Sequence, residues 1–280
     1  MKEQLKSILK SIGVYHPLQS LYRSILRNFE NLRYKITYNR YKGKGYTCNF
    51  CNATYSKFVP EYPSQEISNA IYTNKVIAGY GENVFCPNCL SKNRERLVKD
   101  VLDNFIHFQE KKILHFSPEK HLFRYLKPLS DITTIDIFPG FYKYIDKKII
   151  YGDATDLRFA DNSFDIVIAN HILEHIPDDR KAMKEIHRVL LKGGVALLQC
   201  PWSVSLAKTI EDPSINDKAK QAELYGQADH VRIYTLEDYI ERLKHSGFTV
   251  RTIPYEELLQ FSRHATQVGE PVVLAYKGNA

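Results

Sequence analysis

Long apolar runs are missing from this 280-residue chain: none approaches the roughly twenty residues that a membrane span requires. A transmembrane helix is thereby excluded. The N-terminus also lacks an uninterrupted apolar stretch of the kind a secretory leader carries, so the expected compartment is the cytosol. No internal repeat or low-complexity tract appears, which removes the repeat architectures. Cysteine is scarce, five residues in all. Four of the five nevertheless fall in two C-x2-C pairs, and the length suffices to bury a full α/β core beside a small appendage.

The net charge of +7 is uneven. Residues 1–47 hold ten Lys or Arg against Glu3 and Glu30, a balance of +8, which leaves the other 233 residues near −1. Leu18, Leu21, Tyr22, Ile25, Phe29 and Leu32 follow His16-Pro17 at helical spacing, with Arg23 and Arg27 away from much of that stripe. Residues 1–45 therefore read as a basic amphipathic arm. Three uses compete: docking on the rest of the protein with a solvated basic face, peripheral contact with anionic lipid, and attraction of nucleic acid.

Cys48, Cys51, Cys86 and Cys89 read as two knuckles around one Zn²⁺, each short loop giving two thiolates to one side of a tetrahedral ion. Paired disulfides are the alternative, but nothing indicates an oxidising compartment. The intervening Tyr55, Phe58, Tyr62, Tyr72 and Tyr80 supply a thin core, so residues 46–92 are expected to be a zinc ribbon that gains folding free energy from its metal. Cys200 is expected to be a packed thiol. A helix capped by Ser91 should follow, with Leu97, Val98, Val101, Leu102 and Phe105 on one face.

Residues 151–201 state a strand, a helix and a second strand with acidic residues at the junctions. The run FDIVIA at 164–169 has the composition of a parallel strand buried on both faces. Met183, Ile186, Val189 and Leu190 recur at helical spacing before a stop at Lys192-Gly193-Gly194, and 195–200 gives the next strand. Upstream, 113–117 and 132–137 read as strands flanking a helix at 120–129; downstream, 248–254 and 271–277 read as an antiparallel edge pair after a helix capped by Thr235.

The ordered set Gly152-Asp153-Ala154, Asn162-Ser163-Phe164-Asp165, Leu173-Glu174-His175-Ile176 and Arg188-Val189-Leu190 before Gly193-Gly194 resembles the core of class I S-adenosylmethionine-dependent methyltransferases, type 11-like. The resemblance implies an α/β, Rossmann-like seven-stranded sheet over residues 93–280, preceded by the helical arm and the zinc ribbon. It also implies S-adenosylmethionine as cofactor. Asp136, at a strand end, would accept from both ribose hydroxyls, and Asp153 would hold the adenine amino group beside Ala154. The first loop departs from the family's glycine-rich turn and reads His115-Phe116-Ser117-Pro118-Glu119, so His115, Ser117 and Glu119 are expected at the methionine end, with Asn170 opposite.

His171, just after the fourth strand, is the first candidate base, and His230 in the motif Gly226-Gln227-Ala228-Asp229-His230-Val231-Arg232 is the second. Arg94 and Arg96, placed like paired arginines after the last cysteine of zinc ribbons fused to related methyltransferases, and Arg232, are candidate contacts to an anionic acceptor. The expected reaction is O- or N-methylation of a small or carbohydrate-like acceptor. Two alternatives stand beside it: an RNA methyltransferase using ribbon and arm, and a non-catalytic zinc-binding adaptor that keeps the fold.

Overall fold

The computed structural model describes residues 15–278. Lys2, Lys6 and Lys10 of the basic arm lie outside the described residues, as do the side chains of Leu18, Leu21 and Arg23. Helix α1 (Tyr15–Thr37) precedes β1 (Lys42–Thr47), β2 (Thr54–Tyr55), β3 (Val59–Glu61), α2 (Gln65–Thr73), β4 (Val76–Ile77) and β5 (Gly81–Phe85). Then come α3 (Asn93–Phe105), β6 (Lys112–Phe116), α4 (Lys120–Leu126), β7 (Asp131–Asp136), β8 (Ile150–Tyr151) and β9 (Phe164–Ile168). The chain continues through α5 (Asp179–Val189), β10 (Leu190–Leu197), β11 (Trp202–Ser203), β12 (Ile210–Glu211), α6 (Lys218–Tyr225) and β13 (Arg232–Thr235). It closes with α7 (Leu236–His245), β14 (Thr249–Ile253), α8 (Tyr255–Leu258) and β15 (Val272–Tyr276).

Seven strands form one mixed sheet in the order β14-β15-β10-β9-β6-β7-β8. Strands β6 to β10 are parallel, while β15 runs antiparallel to both β10 and β14 at one edge. The α/β, seven-stranded expectation holds. Because β9 is buried on both faces, its residues alternate between two cores: Val167 packs with Met183, Ile186 and Leu243 on one side, Ile166 and Ile168 with Leu97, Val101 and Leu122 on the other. Each such side chain contributes about 1.5–3 kcal/mol by leaving water. The strand order reverses beside β6, where β7 and β9 flank it, and a crevice opens there at the carboxyl ends.

Helix starts follow their caps. Asp178 accepts from the Lys181 N–H, Asp217 from Lys220 and Thr235 from Asp238. Helix α6 ends at Gly226, whose φ of 81° is left-handed and whose missing Cβ would lie 2.6 Å from Ile71, so α2 and α6 approach there only over glycine. Strand β4 pairs antiparallel with β11, Trp202 opposite Ile77, which stitches the cysteine-flanked segment into the larger part of the fold. Among described residues of α1, Ile25, Phe29, Leu32 and Ile36 are exposed, and Asn31 donates to the Asn88 carbonyl at 3.0 Å.

Two boundaries differ from expectation. Helix α5 stops at Val189, and Leu190 opens β10, because the Gly193 N–H donates to the Lys277 carbonyl and a Cβ on Gly194 would lie 2.8 Å from the Asp165 carbonyl oxygen. The glycines therefore serve an irregularity within a strand rather than a helix end. Ser91 does not cap α3 either. Lys92 occupies that position, its N–H donating to Glu95, while Ser91 turns inward to the cysteines.

Candidate functional site

The carboxyl ends of β6 to β9 open into a cleft of about 1060 Å³, walled on the far side by Ala78, Tyr80, Lys92 and Arg94 from the cysteine-flanked segment and its sequel.

At one end, Ser117 adopts a left-handed backbone, φ 43°, a conformation that usually calls for glycine. Its hydroxyl donates to Asp136 Oδ2 at 2.5 Å and its N–H to the Ile135 carbonyl at 2.9 Å. The glycine-free loop thus turns on a serine tied to the neighbouring strand. Asp136 also accepts from the Phe138 N–H at 2.6 Å into Oδ1. A carboxylate offers about four lone-pair sites, so capacity for a ligand diol remains. Asp153 Oδ1 accepts from the N–H and hydroxyl of Thr155, both at 2.8 Å, and Oδ2 accepts from none of the described residues. Glu119 bridges His115 Nε2 at 2.8 Å and Asn170 Nδ2 at 3.3 Å, while Asn170 Oδ1 is buried without a donor. Two strand-end carboxylates and an orphaned amide oxygen fit a nucleoside that brings hydroxyl and ammonium donors.

At the other end, His171 also has a left-handed backbone, φ 54°, fixed by its N–H on the Gln199 carbonyl at 2.6 Å. Its Nδ1 lies 3.5 Å from Glu174 Oε1, and its Nε2 is buried without a partner. Burial, then the Arg94 charge, hold this imidazole below its ordinary range, so its neutral form prevails at pH 7. Glu174 is 1% exposed and neither of its oxygens accepts a hydrogen bond. Burial opposes its ionisation, yet the imidazoles of His171, His175 and His230 outweigh that and draw the carboxyl down to about 2. The His175 and His230 rings meet edge to face, centroids 4.6 Å apart. Burial lowers His230 to about 4. Burial also disfavours the charged form of His175, but Asp229 and Glu174 prevail and raise it. Arg94 lines the same space, its Nε buried without an acceptor.

Away from the cleft, the sulfurs of Cys48, Cys51, Cys86 and Cys89 all lie within 4.8 Å of one another, with Cys48–Cys89 and Cys51–Cys86 each at 3.7 Å. No disulfide joins them. A tetrahedral Zn²⁺ with bonds of about 2.3 Å requires sulfur–sulfur edges of about 3.8 Å, so the donor set fits that ion. The neighbouring thiols of Cys51, Cys86 and Cys89 draw Cys48 down, and contact with Cys48 pushes Cys86 and Cys89 up. Ser91 Oγ sits 3.2 Å from Cys48 Sγ and 3.3 Å from Cys89 Sγ.

Of the residues expected in the site, Ser117, Glu119, Asp136, Asp153, Ala154 and Asn170 line the cleft, as do His171, His230 and Arg94. Three are corrected. His115 is fully buried behind the cleft and reaches it only through Glu119. Arg96 is fully buried and spends its guanidinium on the carbonyls of Asn83, Val84, Ser91, His264 and Ala265, beside the sulfurs. Arg232 is 4% exposed and donates to Glu211 and to the carbonyls of Leu173, Ile176 and Pro177. Neither arginine retains a free face for a ligand. Cys200 is buried, as expected. Glu174 was legible only as part of a motif; its signal is an acidic residue between Leu173 and Ile176 with histidines three before and one after it. Tyr80, expected in the ribbon's core, lines the cleft instead, and Lys92 and Tyr142, whose phenol burial pushes up to about 12, gave no signal.

Residues 119–198 match the family described as a methyltransferase domain. That segment spans α4 to β10, the part of the sheet that carries Asp136, Asp153 and His171. Demethylmenaquinone methyltransferases of Staphylococcus epidermidis and Staphylococcus aureus are 46% identical to the chain over 50 residues, which is 18% of this chain and 21% of each relative. The match thus spans about a fifth of the length of those curated relatives. Similar solved structures include the YcgJ protein of Bacillus subtilis, at 16% identity over 67% of this chain and 100% of that one, TM-score 0.47. Phosphoethanolamine N-methyltransferase 2 of Haemonchus contortus, solved with S-adenosyl-L-methionine, is 17% identical over 66% of this chain and 52% of that one, TM-score 0.44.

Proposed function

We propose that the protein is an S-adenosylmethionine-dependent methyltransferase acting on oxygen or nitrogen of a small or carbohydrate-like acceptor. The observation that carries this reading is the cleft itself: Asp136 and Asp153 stand at adjacent strand ends, and His171 faces the same space with an unpartnered Nε2. Asp136 binds the ribose hydroxyls, Asp153 receives the adenine amino group, and Asn170 Oδ1 accepts from the methionine ammonium. The bound cofactor supplies a sulfonium-activated methyl group for in-line displacement. His171 Nε2 takes the acceptor's proton, while Glu174 beside Nδ1 orients the ring. Arg94 meets an anionic group of the acceptor. Residues 46–92 form the zinc ribbon, with Zn²⁺ on the four cysteines holding the wall that bears Tyr80, Lys92 and Arg94 in place.

The test is release of S-adenosylhomocysteine by purified protein across a panel of hydroxyl- and amine-bearing acceptors, run beside calorimetric titration of the cofactor. Cofactor binding with turnover on one acceptor class is expected. Absence of cofactor binding by the folded chain overturns the reading.

A further inference from the structure

We propose that Glu174, His175 and His230 bind one divalent first-row transition-metal ion in the acceptor half of the cleft. One ligand atom from each of the three lies within 4.8 Å of the others, and all three residues line the cleft. Their chemistry is matched. Nδ1 of His175 faces the Asp229 carbonyl at 3.2 Å and Nδ1 of His230 faces the Tyr225 carbonyl at 3.3 Å. A carbonyl only accepts, so both Nδ1 atoms carry a proton, and in the neutral form of each ring the lone pair is left on Nε2. An Nδ1–H on a backbone carbonyl is also the usual outer support of a metal-ligating histidine. Glu174 supplies the anion: its two oxygens are buried, and neither accepts a hydrogen bond. An unsatisfied buried carboxylate is costly, and a cation between it and two imidazoles would remove that cost.

The backbone around the three is held from outside. The Val231 N–H donates to the Glu174 carbonyl at 2.9 Å, and Arg232 donates to the carbonyls of Leu173 and Ile176 on either side of the Glu174-His175 pair. Glu174 Oε1 and His175 Nε2 are 3.9 Å apart. Bonds of about 2.1 Å bring ligand atoms to about 3.0–3.4 Å, so side-chain movements of about 1 Å close the shell. Two imidazoles and one carboxylate leave coordination positions open, the arrangement of a site that handles a ligand rather than one that only braces the fold.

What the ion does there rests on the methyl-transfer reading. It holds an acceptor that presents a hydroxyl and a neighbouring oxygen, and lowers the pKa of that hydroxyl. The proton passes to His171 Nε2 and the oxygen forms its bond to the methyl carbon, the electron pair of the broken S–C bond staying on sulfur.

Ion binding is tested with neither cofactor nor acceptor present. The full chain, zinc-loaded at its cysteines, is titrated with Co²⁺ and followed by visible absorption. One equivalent is expected to bind with d–d bands but without the thiolate charge-transfer band that marks exchange at the cysteines. Glu174→Gln, His175→Gln and His230→Gln should each weaken binding about tenfold or more, and His171→Gln should retain it. Wild-type protein that takes up no Co²⁺ beyond the cysteines overturns the proposal, as do folded variants at these three positions that bind like wild type. If one variant does not fold, the other two decide. Failure here leaves methyl transfer standing, whereas a chain that binds Co²⁺ but releases no S-adenosylhomocysteine with any acceptor removes methyl transfer alone.

Discussion

The protein carries two clusters of ligating side chains that differ in what surrounds them. The four sulfurs are closed in: Ser91 contacts two of them, the buried guanidinium of Arg96 lies beside them, and none of the four lines the cleft. The Glu174, His175 and His230 group is open on one side to the cleft, with an unsatisfied carboxylate at its centre. A closed thiolate shell suits an ion that contributes folding free energy, and an open imidazole–carboxylate shell suits one that meets a ligand. Distance from the cleft, as much as ligand type, separates structure from chemistry here.

The largest effect expected on that contrast comes from the sulfurs. Cys48→Ser and Cys89→Ser should each abolish the single equivalent of zinc found by elemental analysis and unfold the ribbon, since structural zinc contributes about 10 kcal/mol or more. Cys200→Ser should keep the metal. Zinc content unchanged in Cys48→Ser, or a disulfide found by mass spectrometry, would dissolve the distinction.

His171→Ala should act only at the open end. A loss of about 10²–10⁴-fold in kcat is expected, with cofactor affinity nearly preserved and zinc content unchanged, because Asp136 and Asp153, proposed to hold the nucleoside, lie at the ends of other strands. Full turnover of that variant would leave catalysis to alignment of an already nucleophilic acceptor.

Two buried glutamates sharpen the role of the imidazoles. Glu174, ringed by histidines, is drawn down to about 2, whereas burial pushes Glu270, which accepts from the Gln199 amide, up to about 7. Over the range from about 4.5, where the unfolded chain ionises, to about 7, the folded state holds the extra Glu270 proton. Stability should therefore fall as pH rises through that window and level above it, by about 3 kcal/mol in all. Denaturant melts of Glu270→Gln should lack that slope. A wild-type profile that is flat or rises between those limits contradicts the assignment.

The last test concerns the cofactor end. Asp136→Ala should weaken cofactor binding by about 1.5–3 kcal/mol per lost hydrogen bond without loss of fold, read by calorimetry. Affinity unchanged in the folded variant would remove Asp136 from the ribose contact.

Much of this was legible along the chain. FDIVIA gave a doubly buried strand, Asp136 and Asp153 could be placed at strand ends, and the C-x2-C pairs marked the sulfur cluster, because each signal lies within a few residues and follows from local geometry. The chemistry of Arg96, Arg232 and His115 was not legible. Whether a guanidinium meets solvent, a ligand or five carbonyls depends on segments up to 169 residues away, as the Arg96 bond to Ala265 shows. The left-handed turn at Ser117 was equally hidden, since its support comes from Asp136 on another strand. Sequence by itself determined the chain order of the seven sheet strands, the burial of β9 and the pairing of thiols within each knuckle. Only the tertiary structure brought His230 from the end of one insertion against the Glu174-His175 turn, because such a contact is closed by packing between distant elements and leaves no periodicity in either.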